Sequence, residues 1–433
     1  MSSPRSSFLE TCAVIDDTLR TMHDTNWDED CDVDVLTSAA VASVDELTVI
    51  LPRIRRKPHR FASEAAPLVI RAVHVVGAPA VCKAATGFAE AYAEVARAAG
   101  SNVEAPTFAA RVLAATRGEA YLDDDGVGRQ LADVVADVAL GDIVSTSKAR
   151  HDGSEEDEEE DEEEEDEVAR VGVALAACFT DVKARVQHLC ECASILVDAA
   201  RPMMPLSRTL MMRGISLCRT VADAEDATDH PEFLLDGPVR ALVQALPVCA
   251  RAGDVATASE LHSALVQCTS IWPEGLPRLR VLVSLVPMAF EAATALVALA
   301  RRELARAWDE QPSGDAPDDD AAGIARKLLE LSLPSSHMLL GGSSSSSEVA
   351  GTCDMELWAT AINILRFVWV RERSAATNRL GLRMEAAKEW ILEIRRRISL
   401  ECGGEVPIND VTYFSVEDAL MRIEEEYKVS QNL

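Results

Sequence analysis

The chain has 433 residues, of which 48% are hydrophobic but only 4% aromatic, so its core is built from Ala, Val and Leu. Its formal net charge is −30; thirteen of those charges sit in one run, Glu155 to Glu167, which leaves −17 for the rest. An acidic balance of that size disfavours nucleic acid as the main partner, and the near absence of period-2 runs between turn residues disfavours a sheet protein.

Eleven cysteines are scattered without CxxC pairs, and most lie in apolar helical runs, such as Cys82, Cys178, Cys218, Cys249 and Cys268. They read as small core residues in a reducing compartment. The first residues, MSSPRSSFLE, show neither a basic-then-apolar leader nor an arginine-rich one, so the expected location is cytoplasmic.

The first predicted helix starts at Ser7, with Glu10 at capping-box spacing and Phe8, Cys12, Ile15, Leu19 and Met22 on one face. A second spans about Val33 to Ile54, with an early end or kink at Pro52. The basic stretch Arg53 to Arg60 (RIRRKPHR) fits a localisation signal or phosphate-binding patch, but a short basic cluster in an acidic chain reads first as a solvated interhelical loop. Four helices follow over Phe61–Val76, Pro79–Ala99, Pro106–Tyr121 and Val127–Leu140.

Residues 141–167 read as an acidic disordered linker, because consecutive carboxylates repel one another and bury nothing. Val168 to Ala200 is a long helix or a helix pair carrying His188, Cys190 and Cys192, whose spacing suits core packing better than metal binding. Another helix runs from Leu206 to Val221.

At the centre, Val239, Leu242, Val243 and Leu246 recur at helical spacing, Ala252-Gly253-Asp254 makes a turn, and Val255, Ala258, Leu261 and Leu265 form the returning helix, stopped by Pro273 and Pro277. Neither helix of this pair buries its stripe alone, so similar pairs must stack beside it. The run Val281 to Ala300 has the length of a membrane span, but Glu291 at its middle costs roughly 2.5–3.5 kcal/mol on insertion scales, so it reads as a buried helix within 281–307. A polar linker spans 309–323, a helix runs from Ile324 to Leu333, and a serine-rich loop covers 341–351. Trp358, Ile362, Leu365 and Trp369 mark a buried stripe over Met355–Val370. The next helix, Leu380–Leu400, ends in Arg395-Arg396-Arg397, which complements the macrodipole, and the last starts at Ser415 with Asp418 as cap partner.

These elements predict an all-α fold, an α-solenoid of stacked antiparallel helix pairs of HEAT-like kind. Its parts are N-terminal repeats over 1–140, the linker 141–167, central repeats over 168–308, the linker 309–323 and C-terminal repeats over 324–433. The sequence carries no P-loop, no GxGxxG after a strand, no HExxH, no GxSxG and no kinase signature. A non-enzymatic protein is expected, with no catalytic, cofactor-binding or metal residue assigned and partner-binding residues unknown.

Two resemblances bear on function. Cys249 to Leu261, CARAGDVATASEL, looks like one pentatricopeptide unit, the organellar RNA-binding repeat, and occurs once, without a period of about 35 residues on either side. Four further pieces occur in order: Thr21-Met22-His23-Asp24; Ala177-Cys178-Phe179 with Val186 to Leu189 and Leu196 to Arg201; Ala252 to Ala256 with Ser270 to Pro277; and Ala325–Leu331 with Ile362–Ile398. Together they resemble the C-terminal half of the large α-solenoid subunit of the endosomal retriever complex, the vacuolar protein sorting-associated protein 35-like family.

The retriever resemblance implies a scaffold in the cytoplasm, peripheral on endosomes, that returns membrane cargo to the cell surface and has no transmembrane segment and no cofactor. It implies a grip on a phosphoesterase-fold sorting subunit. The half that holds the arrestin-like subunit has no counterpart in these residues, which leaves that contact open. A pentatricopeptide-like RNA binder, or a helical-repeat adaptor of an unrelated complex, is the alternative.

Overall fold

Proline sets where many of the helices begin. Pro4, Pro58, Pro79, Pro231 and Pro277 each lie in a first helical turn, where a missing N–H costs nothing. The computed structural model describes residues 3–24, 33–77, 79–100, 104–116, 127–136, 159–179, 186–204, 206–229, 231–288, 290–310, 321–340, 355–401 and 411–431. Among them no residue is in a strand, and the fold is all-α.

The chain divides into two units, Met1–Ala264 and Leu265–Leu433. In the first, the helices are α1 (Pro4–Asp24), α2 (Val33–Ile50), α3 (Pro58–Val76), α4 (Pro79–Ala99), α5 (Glu104–Ala115), α6 (Val127–Ala136), α7 (Glu159–Ala176), α8 (Val186–Ala200), α9 (Arg208–Ala222), α10 (Pro231–Leu234) and α11 (Arg240–Arg251). Helix α12 (Val255–Thr269) crosses the division. The packed neighbours lie one to three places apart in sequence, α1 on α2 and α3, α4 on α5 and α6, α7 on α8, α8 on α9. This near-neighbour stacking is how an α-solenoid buries stripes that no single helix pair covers.

The second unit holds α13 (Leu276–Leu285), α14 (Ala293–Glu310), α15 (Ala321–Ser332), α16 (His337–Leu340), α17 (Met355–Ala375), α18 (Ala387–Glu401) and α19 (Val411–Gln431). Here too the order of packing follows the order of the chain: α13 on α14, α14 on α15 and α17, α17 and α18 on α19.

Several expectations shift. Helix α1 starts before Ser7, because Ser3 caps it by accepting the Ser6 N–H at 3.2 Å and Pro4 preorganises its first turn. The 141–167 stretch is not linker throughout: α7 begins at Glu159, inside the acidic run, where Glu favours helix and the positive end of the macrodipole offsets carboxylate repulsion. The residues before and after the expected linker 141–167 fall in one unit, since α5 and α7 pack on each other and both lie within Met1–Ala264. The apolar run 281–300 is not one helix; Pro287 splits it into α13, two 3₁₀ turns and α14. Pro277 opens α13 and does not close α12.

Helix α18 starts at Ala387, after a loop in which Asn378 Oδ1 accepts the Leu382 N–H at 2.7 Å. Helix α19 starts at Val411, which leaves Ser415 inside it donating back to the Val411 carbonyl. The linker residues 311–320 and the serine loop 341–351 lie outside the described residues. Two stretches, Asp34–Arg53 and Pro231–Arg251, are long and apolar enough by length and hydropathy to cross a membrane. Each turns a buried face to its neighbours, Val44, Leu47 and Leu51 in one and Val239, Leu242 and Val243 in the other.

Candidate functional site

The central pair is a helix, a tight turn and a returning helix, as its periodicity predicts. Gly253 takes φ +74 at the turn, and Asp254 then caps α12. Its carboxylate accepts the Thr257 N–H at 3.1 Å and the Thr257 hydroxyl at 2.7 Å. Those two bonds, with Arg208 at 3.7 Å, hold Asp254 below the usual carboxylate range.

The segment Ser270 to Pro277 is held by charge. The buried Glu303 of α14, 4% exposed, accepts the Gly275 N–H at 2.8 Å and pairs with Arg278 at 3.5 Å and Arg306 at 3.3 Å. Arg278 donates to the carbonyls of Trp272 and Ser270, and Arg306 reaches Glu274 at 2.8 Å. Every donor and acceptor here serves the turn, so the residues that carry the retriever resemblance in this stretch act as architecture.

His188, Cys190 and Cys192 do not assemble into a metal site. Both thiols are buried, and desolvation pushes each up to about 12, which keeps them protonated and poor as ligands. His188 is half exposed and faces Glu191 at 3.7 Å. Among the described residues no three His, Cys, Asp or Glu side chains converge to hold an ion.

Two surfaces were not legible in the sequence. On α19, Val411, Phe414 and Met421 are 79%, 52% and 48% exposed and follow one another at i, i+3 and i+10, while Val416, Leu420 and Ile423 bury the opposite face against α17 and α18. Placing the helix start at Ser415 leaves Val411 and Phe414 off the stripe, which hides it. Nearer the N-terminus, Arg5 of α1 meets Arg53, Arg55 and Arg56 across a cleft of about 520 Å³. The basic stretch was visible in sequence, but its meeting with α1 is a tertiary event.

No family model matches this chain, and no curated protein matches it. One solved structure is similar, described as a circular tandem repeat protein with novel repeat topology and enhanced subunit contact surfaces. It is 11% identical, with 98% of this chain and 97% of that chain covered at a TM-score of 0.35, a likeness that bears on neither fold nor function.

Proposed function

We propose that this chain is a non-enzymatic scaffold subunit of a retriever-like endosomal cargo-recycling assembly, and that it holds a phosphoesterase-fold sorting subunit through the exposed stripe of α19. The observation that carries this reading is the stripe itself. Val411, Phe414 and Met421 leave apolar surface in water on a helix whose other face is fully used, and aromatic and methionine side chains are enriched where partners bind. The ordered resemblance supports the choice of assembly: its pieces fall at the end of α1, just after α7 and in α8, at the α11–α12 turn with the charged turn before α13, and in α15, α17 and α18. Such a subunit works in the cytoplasm, peripheral on endosomes, and reaches the membrane through the complex.

The test is capture of the phosphoesterase-fold and arrestin-like sorting proteins from cytosol of the native source by the tagged chain, identified by mass spectrometry, beside a Phe414→Asp/Met421→Asp variant. Recovery by the parent and loss in the variant supports the proposal. Recovery of RNA, or of an unrelated assembly with the same variant sensitivity, overturns the retriever reading in favour of the pentatricopeptide or adaptor one.

A further inference from the structure

The sequence concentrates cations in one place in an otherwise acidic chain, and the fold then adds another from a different helix. Pro52 takes the chain out of α2 into a single 3₁₀ turn, Leu51–Arg53, and buried Leu51 and Ile54 pin that turn to the core. The residues between and after these anchors, Arg53, Arg55 and Arg56, stay exposed. Lys57 adopts φ +52 to turn the chain into α3. Across from this segment lies the N-terminal end of α1, with Ser3, Pro4 and Arg5.

The walls of the cleft are fixed. Phe61 meets Phe8 edge to face at 5.8 Å, and Phe8 is fully buried. The Arg5 guanidinium sits over the Phe61 ring at 5.3 Å, which orients it without neutralising it. None of the eight residues lining the cleft is acidic. No carboxylate among the described residues pairs with Arg5, Arg53, Arg55 or Arg56, whereas other arginines such as Arg20, Arg71, Arg219, Arg373 and Arg395 have such a partner. Four guanidiniums facing one space without a counter-charge repel one another until an anion enters.

We propose that this cleft binds a compact ligand bearing two or more phosphate groups. Guanidinium forks match phosphate oxygens in bidentate geometry, and four of them can serve two phosphates. The positive end of the 21-residue α1 points the same way and adds to the field. The volume suits a small polyphosphate or a phosphorylated polyol headgroup, free or on a lipid, but not a helix of nucleic acid. The overall negative charge does not cancel the site, since at physiological ionic strength charges beyond about 8 Å are screened while the cleft arginines act at contact. This inference does not depend on the retriever reading, and it uses a surface far in sequence from α19.

The experiment is calorimetric titration of the full chain with inorganic pyrophosphate and with a soluble inositol bisphosphate, together with flotation on phosphatidylcholine vesicles with and without a bisphosphorylated phosphoinositide. The expected result is saturable, salt-sensitive binding that weakens about tenfold or more for each of Arg55→Gln and Arg5→Gln, since each removes a charge-assisted hydrogen bond to phosphate. The second substitution matters because Arg5 belongs to the cleft and not to the basic stretch. These side chains are exposed, so unchanged far-ultraviolet circular dichroism of each variant separates lost binding from lost fold.

Binding of the soluble compounds alone identifies a free ligand, and added vesicle flotation identifies a lipid headgroup; either upholds the site. Absence of binding to every phosphate probe, binding indifferent to Arg5→Gln, or tighter binding of polyglutamate than of pyrophosphate overturns it.

Discussion

The two units reach stable helix packing by opposite means. Residues 1–264 pack small residues closely: α4 buries Ala84, Ala85, Ala89, Ala91 and Ala96, and α7 approaches α5 so nearly that a Cβ on Gly172 would lie 1.7 Å from the Ala110 carbonyl oxygen. Residues 265–433 hold five of the six tryptophans, at 272, 308, 358, 369 and 390, and two buried carboxylates, Glu303 and Glu372, each 4% exposed. Glu372 closes the end of α17 by accepting the Thr377 hydroxyl at 3.0 Å and the Arg379 N–H, while Arg379 also lies over Trp308 at 4.4 Å. Small-residue packing fixes helix separation by what is missing; the second unit fixes its loops by what is present. The first is therefore vulnerable to added atoms and the second to removed ones.

The largest effect expected from that contrast is at Trp369, which is 2% exposed at the C-terminal end of the α17 stripe. Trp369→Ala removes most of a buried aromatic side chain and should cost about 3–5 kcal/mol, read as a lower midpoint in urea unfolding. Next comes Gly172→Ala. A helix-interior alanine alone would stabilise by about 1 kcal/mol, but here the methyl group meets backbone that has no rotamer to give, and the net loss should be about 2–3 kcal/mol. If the units unfold as separate transitions in calorimetry, Gly172→Ala lowers only the first unit's transition and Trp369→Ala only the second's. A stabilising Gly172→Ala would show that α5 and α7 are not in close contact in solution.

How far the sequence reaches follows the same division of causes. Periodicity is local, and it places the Trp358, Ile362, Leu365 and Trp369 stripe, the Gly253 turn and the order of the helices, all of which the fold contains. Helix starts are less legible, because a cap is one hydrogen bond chosen among several candidates: Ser3 takes the place of Ser7, and α19 begins four residues before Ser415. Contacts between distant residues are not legible at all. Nothing in the local pattern tells that Glu303 accepts the Gly275 N–H, or that Arg395 pairs with Glu417 at 2.8 Å and not merely with a helix dipole. Arg5 and Arg55 meet only through the packing of α1 on α3, so the cleft had to wait for the fold.

Smaller effects test the charged pins. Glu303→Gln keeps an acceptor for the Gly275 N–H but leaves Arg278 and Arg306 without their shared buried carboxylate. Arg278 retains the Trp272 carbonyl and Glu274 at 3.9 Å, so the expected cost is about 2 kcal/mol, below the 3–5 typical of breaking an isolated buried pair. Increased amide exchange confined to 270–278 would locate the loss in the turn. Equal loss spread over all of α14 would mean that Glu303 supports the helix and not the loop.

The smallest effect is electrostatic and exposed. Hydrogen bonds from Arg396 and Arg397, at 2.8–2.9 Å, lower Glu393 from the usual 4.5 to about 2. A carboxylate depressed on folding stabilises fully above its unfolded value and loses that contribution as pH falls from about 4.5 through about 2. Glu393→Gln should therefore narrow the difference between neutral and acid stability slightly, and only at low salt, because exposed pairs are screened and small. An acid limb that Glu393→Gln leaves unchanged at low salt would show that the pairs of Glu393 with Arg396 and Arg397 add nothing to the stability of α18.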